Sequence, residues 1–168
     1  QAISIIQFKL EGEIIKRHPE FDMADRMVLD FINYETGTVK LDGKEYPMLC
    51  DYFPTVDPAD PYRLTEEERL VVERLMTGFL NSERLQKHVQ FLFSKGSMYL
   101  SYNDNLLFHG CVPLNPDGSF MELPIANVKY SGKALLDKYE EVLRKGYLNR
   151  EGKKHNVRIL DLIWYLWE

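Results

Sequence analysis

The chain has little cysteine, no excess of basic residues and no long apolar run. Cys50 and Cys111 are its only cysteines, too few for a disulfide framework, and this favours a reducing, cytoplasmic location. No apolar run reaches the ~18 residues that span a bilayer, so no membrane association is expected. The net charge of -5 argues against a broad nucleic-acid-binding surface. With 45% apolar and 28% charged residues, the 168-residue chain is typical of a globular protein.

Most motifs of known catalytic sites are also absent. There is no G-x-x-x-x-G-K-[ST] phosphate loop, no G-x-G-x-x-G, no G-x-S-x-G and no C-x-x-C. There is no H-E-x-x-H either, nor another pair of histidines at metal-ligand spacing. The acidic run Glu66 to Glu68 could suggest a metal site, but a solvated helix start explains it better, because carboxylates are favoured at the positive end of the helix dipole.

Periodic apolar patterns predict an α+β fold, rich in helix, with two short β-hairpins. Capping signals support it: Asp22 before the second helix, and Thr65 with Glu68 as a capping box before the third. The predicted helices are residues 2–17, 23–32, 66–80, 83–94, 132–145 and 157–168. The predicted hairpins are 38–48, around Asp42-Gly43, and 97–109, around Asn103 to Asn105, with a further strand at 120–123.

One histidine, His109, comes where an apolar strand ends. Leu106, Leu107 and Phe108 before it are apolar throughout, the pattern of a strand covered on both faces, and Gly110 permits a sharp turn directly after it. Catalytic and metal-binding residues collect at such strand ends. On pattern alone, a buried and hydrogen-bonded histidine is the commoner explanation.

A basic group, Lys16, Arg17 and His18, ends the first predicted helix. These side chains could bind a phosphate group, since guanidinium forks match phosphate oxygens. Basic residues also favour the negative end of a helix dipole without any ligand. The remaining histidines carry no such signal, and His88 is interpreted as an ordinary surface residue.

Both ends of the chain are strongly apolar. The chain opens without methionine on a segment rich in isoleucine, and it closes on Ile159 to Glu168 without a helix stop signal. Because chain termini are usually polar, we expect that natural sequence continues on both sides. The alternative is a complete small domain with apolar ends.

Several stretches carry a resemblance to a known family and follow one another along the whole chain. Through them the chain resembles the middle section of the class III, or firmicute-type, fructose-1,6-bisphosphatases, which are calcineurin-like metallophosphoesterases. The stretches are Ala2–Glu11, Ile14–Arg17, Lys95–Leu100, Asn105–Pro113 and Trp164–Trp167.

The resemblance implies a two-metal centre of which this chain holds one part. Its family motifs are a D-x-H, a G-D-x-x-D-R-G, a G-N-H-D, an isolated histidine followed by glycine, and a later G-H-x. Only the isolated histidine is present, as His109-Gly110. His109 would then be a neutral imidazole ligand, and Mn²⁺ is the implied metal of the full-length enzyme. The fragment alone is not expected to bind it.

The implied architecture is part of a metallophosphoesterase αββα sandwich. Residues 1–18 would be a helix leading out of the catalytic core, 19–95 a mainly helical insertion with a hairpin, and 96–168 part of the catalytic-domain sheet and helices.

The implied reaction is hydrolysis of the 1-phosphate of fructose 1,6-bisphosphate to fructose 6-phosphate, in gluconeogenesis. Lys16 and Arg17 would bind a substrate or effector phosphate, and the fragment alone should be inactive. Its partners would be the sugar substrate and the remainder of the parent chain, and a homo-oligomer stays open. The alternatives are a non-catalytic helical binding or regulatory module, and a metallophosphatase acting on a phosphoprotein or nucleotide.

Overall fold

The structure, a computed structural model, describes residues 2–108, 110–125, 128–148 and 157–168. Within these ranges, five α-helices and three small antiparallel sheets make the fold α+β, as predicted. The chain divides into two compact units, Gln1–Asn81 and Ser82–Glu168. No helix in the described ranges is long and apolar enough to cross a membrane.

The first unit combines two helices with a three-stranded sheet. Helix α1 ends one residue before His18, and Pro19 then opens a tighter turn, because proline cannot continue an α-helix. The sheet has the order β1-β2-β3, and both pairings are antiparallel. The elements are α1 (Ala2–Arg17), β1 (Ile32–Asn33), β2 (Thr38–Leu41), β3 (Lys44–Pro47) and α2 (Glu66–Leu80).

The predicted helix over 23–32 is wrong. Asp22, predicted to cap it, has a left-handed backbone with φ 54° and ends a preceding turn instead. Leu29 is buried against Ile5 and Tyr62, so contacts with distant residues override the local helical periodicity. Residues 19–31 instead contain three short 3₁₀ turns before β1, namely Pro19–Phe21, Ala24–Arg26 and Val28–Phe31.

The first hairpin is confirmed. Leu41 pairs with Lys44 across a two-residue turn in which Asp42 and Gly43 both have positive φ, 49° and 77°, as a type I′ turn requires. The additional strand β1 was not predicted, because two residues are too few to show an alternating pattern.

The interior of the first unit depends on a close approach between a glycine and an aromatic ring. Ile5, Leu29 and Tyr62 are buried together. A Cβ atom built on Gly12 would lie 2.0 Å from Cδ1 of Tyr62, so only glycine leaves room for that ring beside α1. The glycine within helix α1 is therefore a packing residue.

The capping box of α2 is confirmed. The Thr65 hydroxyl accepts a hydrogen bond from the Glu68 amide at 3.2 Å, and the Glu68 carboxylate accepts one from the Thr65 amide at 2.8 Å. Two backbone N–H groups without helical partners are satisfied in this way.

The second unit contains three helices and two small sheets. Its buried side chains come mainly from α4 and α5, and a Cβ on Gly146 would lie 2.8 Å from Cδ1 of Ile163. The strand predicted at 120–123 is misplaced, because Phe120 makes only an isolated bridge to Leu114 and β6 begins at Leu123. The elements are α3 (Glu83–Lys95), β4 (Tyr99–Tyr102), β5 (Asn105–Phe108), β6 (Leu123–Ile125), β7 (Val128–Tyr130), α4 (Gly132–Leu148) and α5 (Val157–Trp167).

The second hairpin, β4 and β5, has a tighter turn than predicted. Asn103 and Asp104 alone form it, with φ of 49° and 59°, and Asn105 already belongs to β5. The prediction that Leu106, Leu107 and Phe108 are covered on both faces of the strand is wrong within the described residues, because their exposed fractions are 54%, 53% and 45%. The reason is that β4 and β5 form a sheet of two strands whose apolar side chains face outward.

Candidate functional site

The predicted metal ligand, His109, lies outside the described residues, so its role stays a prediction. The structure does describe its two neighbours. Phe108 is the last residue of β5 and pairs with Tyr99 of β4. Gly110 has a φ of 98°, a conformation that L side chains rarely adopt, and it therefore makes the change of direction predicted after the strand.

Helix α4 holds the start of β4 through an acidic side chain. The hydroxyl of Tyr99 donates a hydrogen bond of 2.8 Å to Oδ1 of Asp137, and Lys133 Nζ donates one of 2.6 Å to Oδ2. The same ammonium group lies 5.4 Å from the centroid of the Tyr99 ring. The hydrogen bond from Lys133, followed in size by the one from Tyr99, holds the pKa of the Asp137 carboxyl below its ordinary value. The carboxylate therefore stays ionised and accepts both hydrogen bonds.

One turn further along α4, a second acidic side chain accepts a hydrogen bond from a backbone N–H group. Oε2 of Glu140 accepts the amide of Met98 at 3.1 Å. Oε1 accepts Arg144 at 3.0 Å from Nε and at 2.8 Å from Nη2. The guanidinium also donates to the carbonyl of Phe93 at 2.6 Å and to that of Gly96 at 2.9 Å. Arg144 thus satisfies carbonyls at the end of α3, where a helix leaves them without partners.

A cavity of about 210 Å³ lies among these residues. Its walls are mainly apolar, from Leu92, Phe93, Met98 and Leu143, with Glu140 and Arg144 as the charged part. The cavity lies between the end of α3 and helix α4, beside the residue that precedes β4.

The basic group at the end of α1 is paired with carboxylates. Lys16 Nζ lies 3.8 Å from Oε1 of Glu13 and 3.8 Å from Oδ1 of Asp60. It also lies 4.6 Å from the centroid of the Tyr62 ring. These contacts lower the local positive charge, and the phosphate-binding role of Lys16 and Arg17 stays a prediction.

The third member of that group, His18, contacts Glu20 and Phe21. Its Nδ1 lies 2.9 Å from Oε1 of Glu20, and its ring stacks on Phe21 with centroids 4.6 Å apart. His18 is buried, with 9% of its surface exposed. The other histidine that the structure describes, His88, is exposed on α3, as predicted.

A buried ion pair in the first unit was not predicted. Lys9 is completely buried, and its Nζ donates hydrogen bonds of 2.7 Å to Oε2 of Glu68 and 2.5 Å to the carbonyl of Thr55. The signal that could have revealed it is the position of Lys9, four residues after Ile5 on the apolar face of α1. A lysine on such a face needs a buried partner.

Burial and hydrogen bonding act in opposite directions on Glu68. Burial alone raises the pKa of its carboxyl, whereas the ammonium of Lys9, the side chain of Thr55 and the amide of Thr65 lower it, and the result is a pKa below the ordinary value. The carboxylate is thus charged and pairs with Lys9. The acidic run is a helix start, as predicted, but Glu68 is buried where solvation was expected.

Among the described residues, no group of three or more His, Cys, Asp or Glu side chains could hold a metal ion.

Comparison with known protein families assigns the chain to one family. Residues 1–168 match the family model described as "Firmicute fructose-1,6-bisphosphatase". The chain belongs to this family, as its motifs predicted.

Its relatives carry a more particular name. The chain is 56% identical over 167 residues to "Fructose-1,6-bisphosphatase class 3" of Clostridium novyi (strain NT). It is 54% identical over 167 residues to the protein of the same name from Listeria monocytogenes serovar 1/2a. These alignments cover 99% of this chain but 25% and 26% of the relatives, so the chain spans about a quarter of their length. No solved structure matches it.

Proposed function

We propose that the chain is one part of an enzyme that hydrolyses the 1-phosphate of fructose 1,6-bisphosphate to fructose 6-phosphate in gluconeogenesis. The observation that carries the proposal is the family match over all 168 residues. Relatives named fructose-1,6-bisphosphatase class 3 align with nearly the whole chain. We call the full-length protein that contains the chain the parent protein, and we propose a cytoplasmic location for it.

Within the parent protein, residues 96–168 would supply part of the sheet and helices of a metallophosphoesterase αββα sandwich. Residues 1–18 would lead out of the catalytic core, and 19–95 would form the mainly helical insertion. The outward-facing apolar side chains of β4 and β5 support this placement, since such strands are normally covered on both faces.

The proposed centre contains two metal ions, with Mn²⁺ as the metal that the family resemblance implies and His109 as one ligand. Such a pair activates water and stabilises charge on the attacking and leaving oxygens. The family resemblance implies that the other ligands come from motifs elsewhere in the parent protein. The 168-residue chain alone should therefore show no appreciable phosphatase activity.

Substrate comparison tests the proposal. The parent protein, supplied with Mn²⁺, would be assayed against fructose 1,6-bisphosphate, a nucleoside monophosphate and a phosphopeptide. The highest kcat/KM is expected for fructose 1,6-bisphosphate. A higher value for the nucleotide or the phosphopeptide would favour the alternative substrates, and hydrolysis by a clean preparation of the 168-residue chain would contradict its dependence on the parent.

A phosphate-binding role for Lys16 and Arg17 is the second part of the proposal. Replacing both with alanine in the parent protein should raise KM, or the concentration of an effector needed for half its effect. The matched control is the double substitution Lys40→Ala and Lys44→Ala, two exposed lysines on β2 and β3. Equal kinetics for the two double variants would remove the role.

A further inference from the structure

We infer that Asp137, Glu140 and Arg144 of α4 are positioning residues for the catalytic centre, because they hold the start of β4, which pairs with the strand that leads into His109. We call these three residues the α4 clamp. The inference rests on the proposed function, since it gives a catalytic consequence to contacts that would otherwise only join a helix to a hairpin.

The three side chains share one face of α4, at spacings of three and four residues. Each binds a different part of the chain before β5. Asp137 binds the Tyr99 hydroxyl, and Glu140 binds the amide of Met98 just before β4. Arg144 binds the carbonyls of Phe93 and Gly96 at the end of α3. The end of α3, the bend after it and the start of β4 are thereby fixed to one helix face.

The clamp provides the attachment of β4 to α4, and a ring stack of Phe93 on Tyr147, with centroids 4.1 Å apart, adds to that of α3. Phe108 of β5 is 45% exposed and Leu106 is 54% exposed, so the hairpin buries little of its own apolar surface. The 210 Å³ cavity lies beside Met98, the residue before β4. Hydrogen bonds in which one partner is charged are stronger than neutral ones, and nearly every contact of the clamp is of that kind.

The pairing of β4 with β5 links the residues held by the clamp to the end of β5. Tyr99, held by Asp137, pairs directly with Phe108, the residue before His109. A displacement of about 1 Å in a catalytic group can lower a rate by about 100-fold, even when the altered residue lies away from the reacting atoms. The clamp is therefore placed to affect kcat without touching substrate.

Adjacent residues on α4 supply a matched control. Glu141 forms the same kind of contact, an ion pair with Lys145 four residues later, and also pairs with Lys138 at 2.9 Å. These contacts join residues of α4 to one another and involve no part of the hairpin. Glu140→Gln and Glu141→Gln are thus the same chemical change at neighbouring positions, one inside the clamp and one outside it.

The experiment compares Glu140→Gln, Arg144→Met and the milder Asp137→Asn with Glu141→Gln and Lys145→Met, all in the parent protein. We expect the clamp variants to lose about tenfold or more in kcat for fructose 1,6-bisphosphate. KM should stay within about twofold, because the clamp does not contact substrate. Hydrogen exchange in residues 98–108 should be faster than in the controls. Arg144→Lys keeps the positive charge but loses the planar guanidinium that donates to several acceptors at once. Its kcat should therefore lie between those of Arg144→Met and the unaltered protein.

Three results would overturn the inference. The first is a kcat for the clamp variants equal to that of the controls. The second is a loss of activity that follows only the loss of folded protein, measured by thermal unfolding of the same samples. The third is a parent protein without fructose 1,6-bisphosphate hydrolysis, in which case the proposed function fails and the inference fails with it. An active parent protein with unaffected clamp variants would remove the inference alone.

Discussion

The interior of the first unit and the hairpin of the second unit are held together in different ways. Around Gly12, the first unit fills its own interior: Tyr62 is 1% exposed, and Lys9 and Glu68 are buried as an ion pair. The β4–β5 hairpin instead turns Leu100 and its other apolar side chains outward and is attached by the partly exposed polar groups of the α4 clamp. A self-contained interior stabilises its own unit, whereas outward-facing strands suit a role as part of a larger assembly.

The largest expected effect concerns the buried ion pair. Lys9→Met would leave the Glu68 carboxylate buried without its counter-charge, and this should lower the free energy of unfolding by about 3–5 kcal/mol. Lys16→Met on the same helix removes exposed contacts of 3.8 Å and should cost less than about 1 kcal/mol. Denaturant unfolding of the two variants measures the difference. Similar losses would show that the pair is not buried as the structure has it.

The next largest effect on stability concerns the close packing of Gly12 against Tyr62. Gly12→Ala places a Cβ where Tyr62 Cδ1 lies 2.0 Å away, and overpacking of this kind costs about 1–3 kcal/mol. Gly78→Ala in α2 has no atom within 4 Å of the new Cβ, so the better helix propensity of alanine should stabilise the chain by up to about 1 kcal/mol. The two unfolding midpoints should shift in opposite directions, and a shift in the same direction would contradict this packing.

Acid should weaken the same interior. The pKa of Glu68 is lowered from its ordinary value of 4.5, so the stability it contributes is present above pH 4.5 and is lost as the pH falls through its lower folded pKa. Glu68→Gln should therefore flatten the acid side of the plot of unfolding free energy against pH. Glu66→Gln, at an exposed position, is the control, and an unchanged acid slope in Glu68→Gln would argue against the charged pair.

The smallest expected effect lies in the hairpin turn. Asp104 has a φ of 59°, in the left-handed region, whereas the corresponding position of the first hairpin is Gly43. Asp104→Gly should relieve this strain and stabilise the chain by about 0.5 kcal/mol, after the extra freedom of glycine in the unfolded chain is deducted. Asp104→Val should destabilise it. Unfolding midpoints with the reverse order would exclude the type I′ turn.

Local signals predicted the parts of the fold that local contacts decide. The capping box of Thr65 and Glu68, helix α1 and the Asp42-Gly43 turn depend on residues a few positions apart, and the structure confirms them. The helix over 23–32 was wrong because burial of Leu29 depends on Ile5 and Tyr62, far away in the sequence.

The same limit applies to the sites. The Lys9–Glu68 pair joins residues 59 positions apart, which no periodic pattern relates. The hydrogen bonds of the α4 clamp to Met98 and Tyr99 span 42 and 38 positions. His109 was singled out by its place after an apolar strand and by family resemblance, and its role as a ligand stays a prediction.

The most direct test of the account compares two histidines in the parent protein. Loss of a residue that only hydrogen-bonds to a metal ligand typically lowers activity by roughly 10–100-fold. His109→Ala removes a proposed ligand itself, so the Mn²⁺-dependent kcat for fructose 1,6-bisphosphate should fall by more than that. His88→Ala, at an exposed position on α3, should leave kcat unchanged. Full activity in His109→Ala would contradict the claim that this chain contributes a ligand to the catalytic centre.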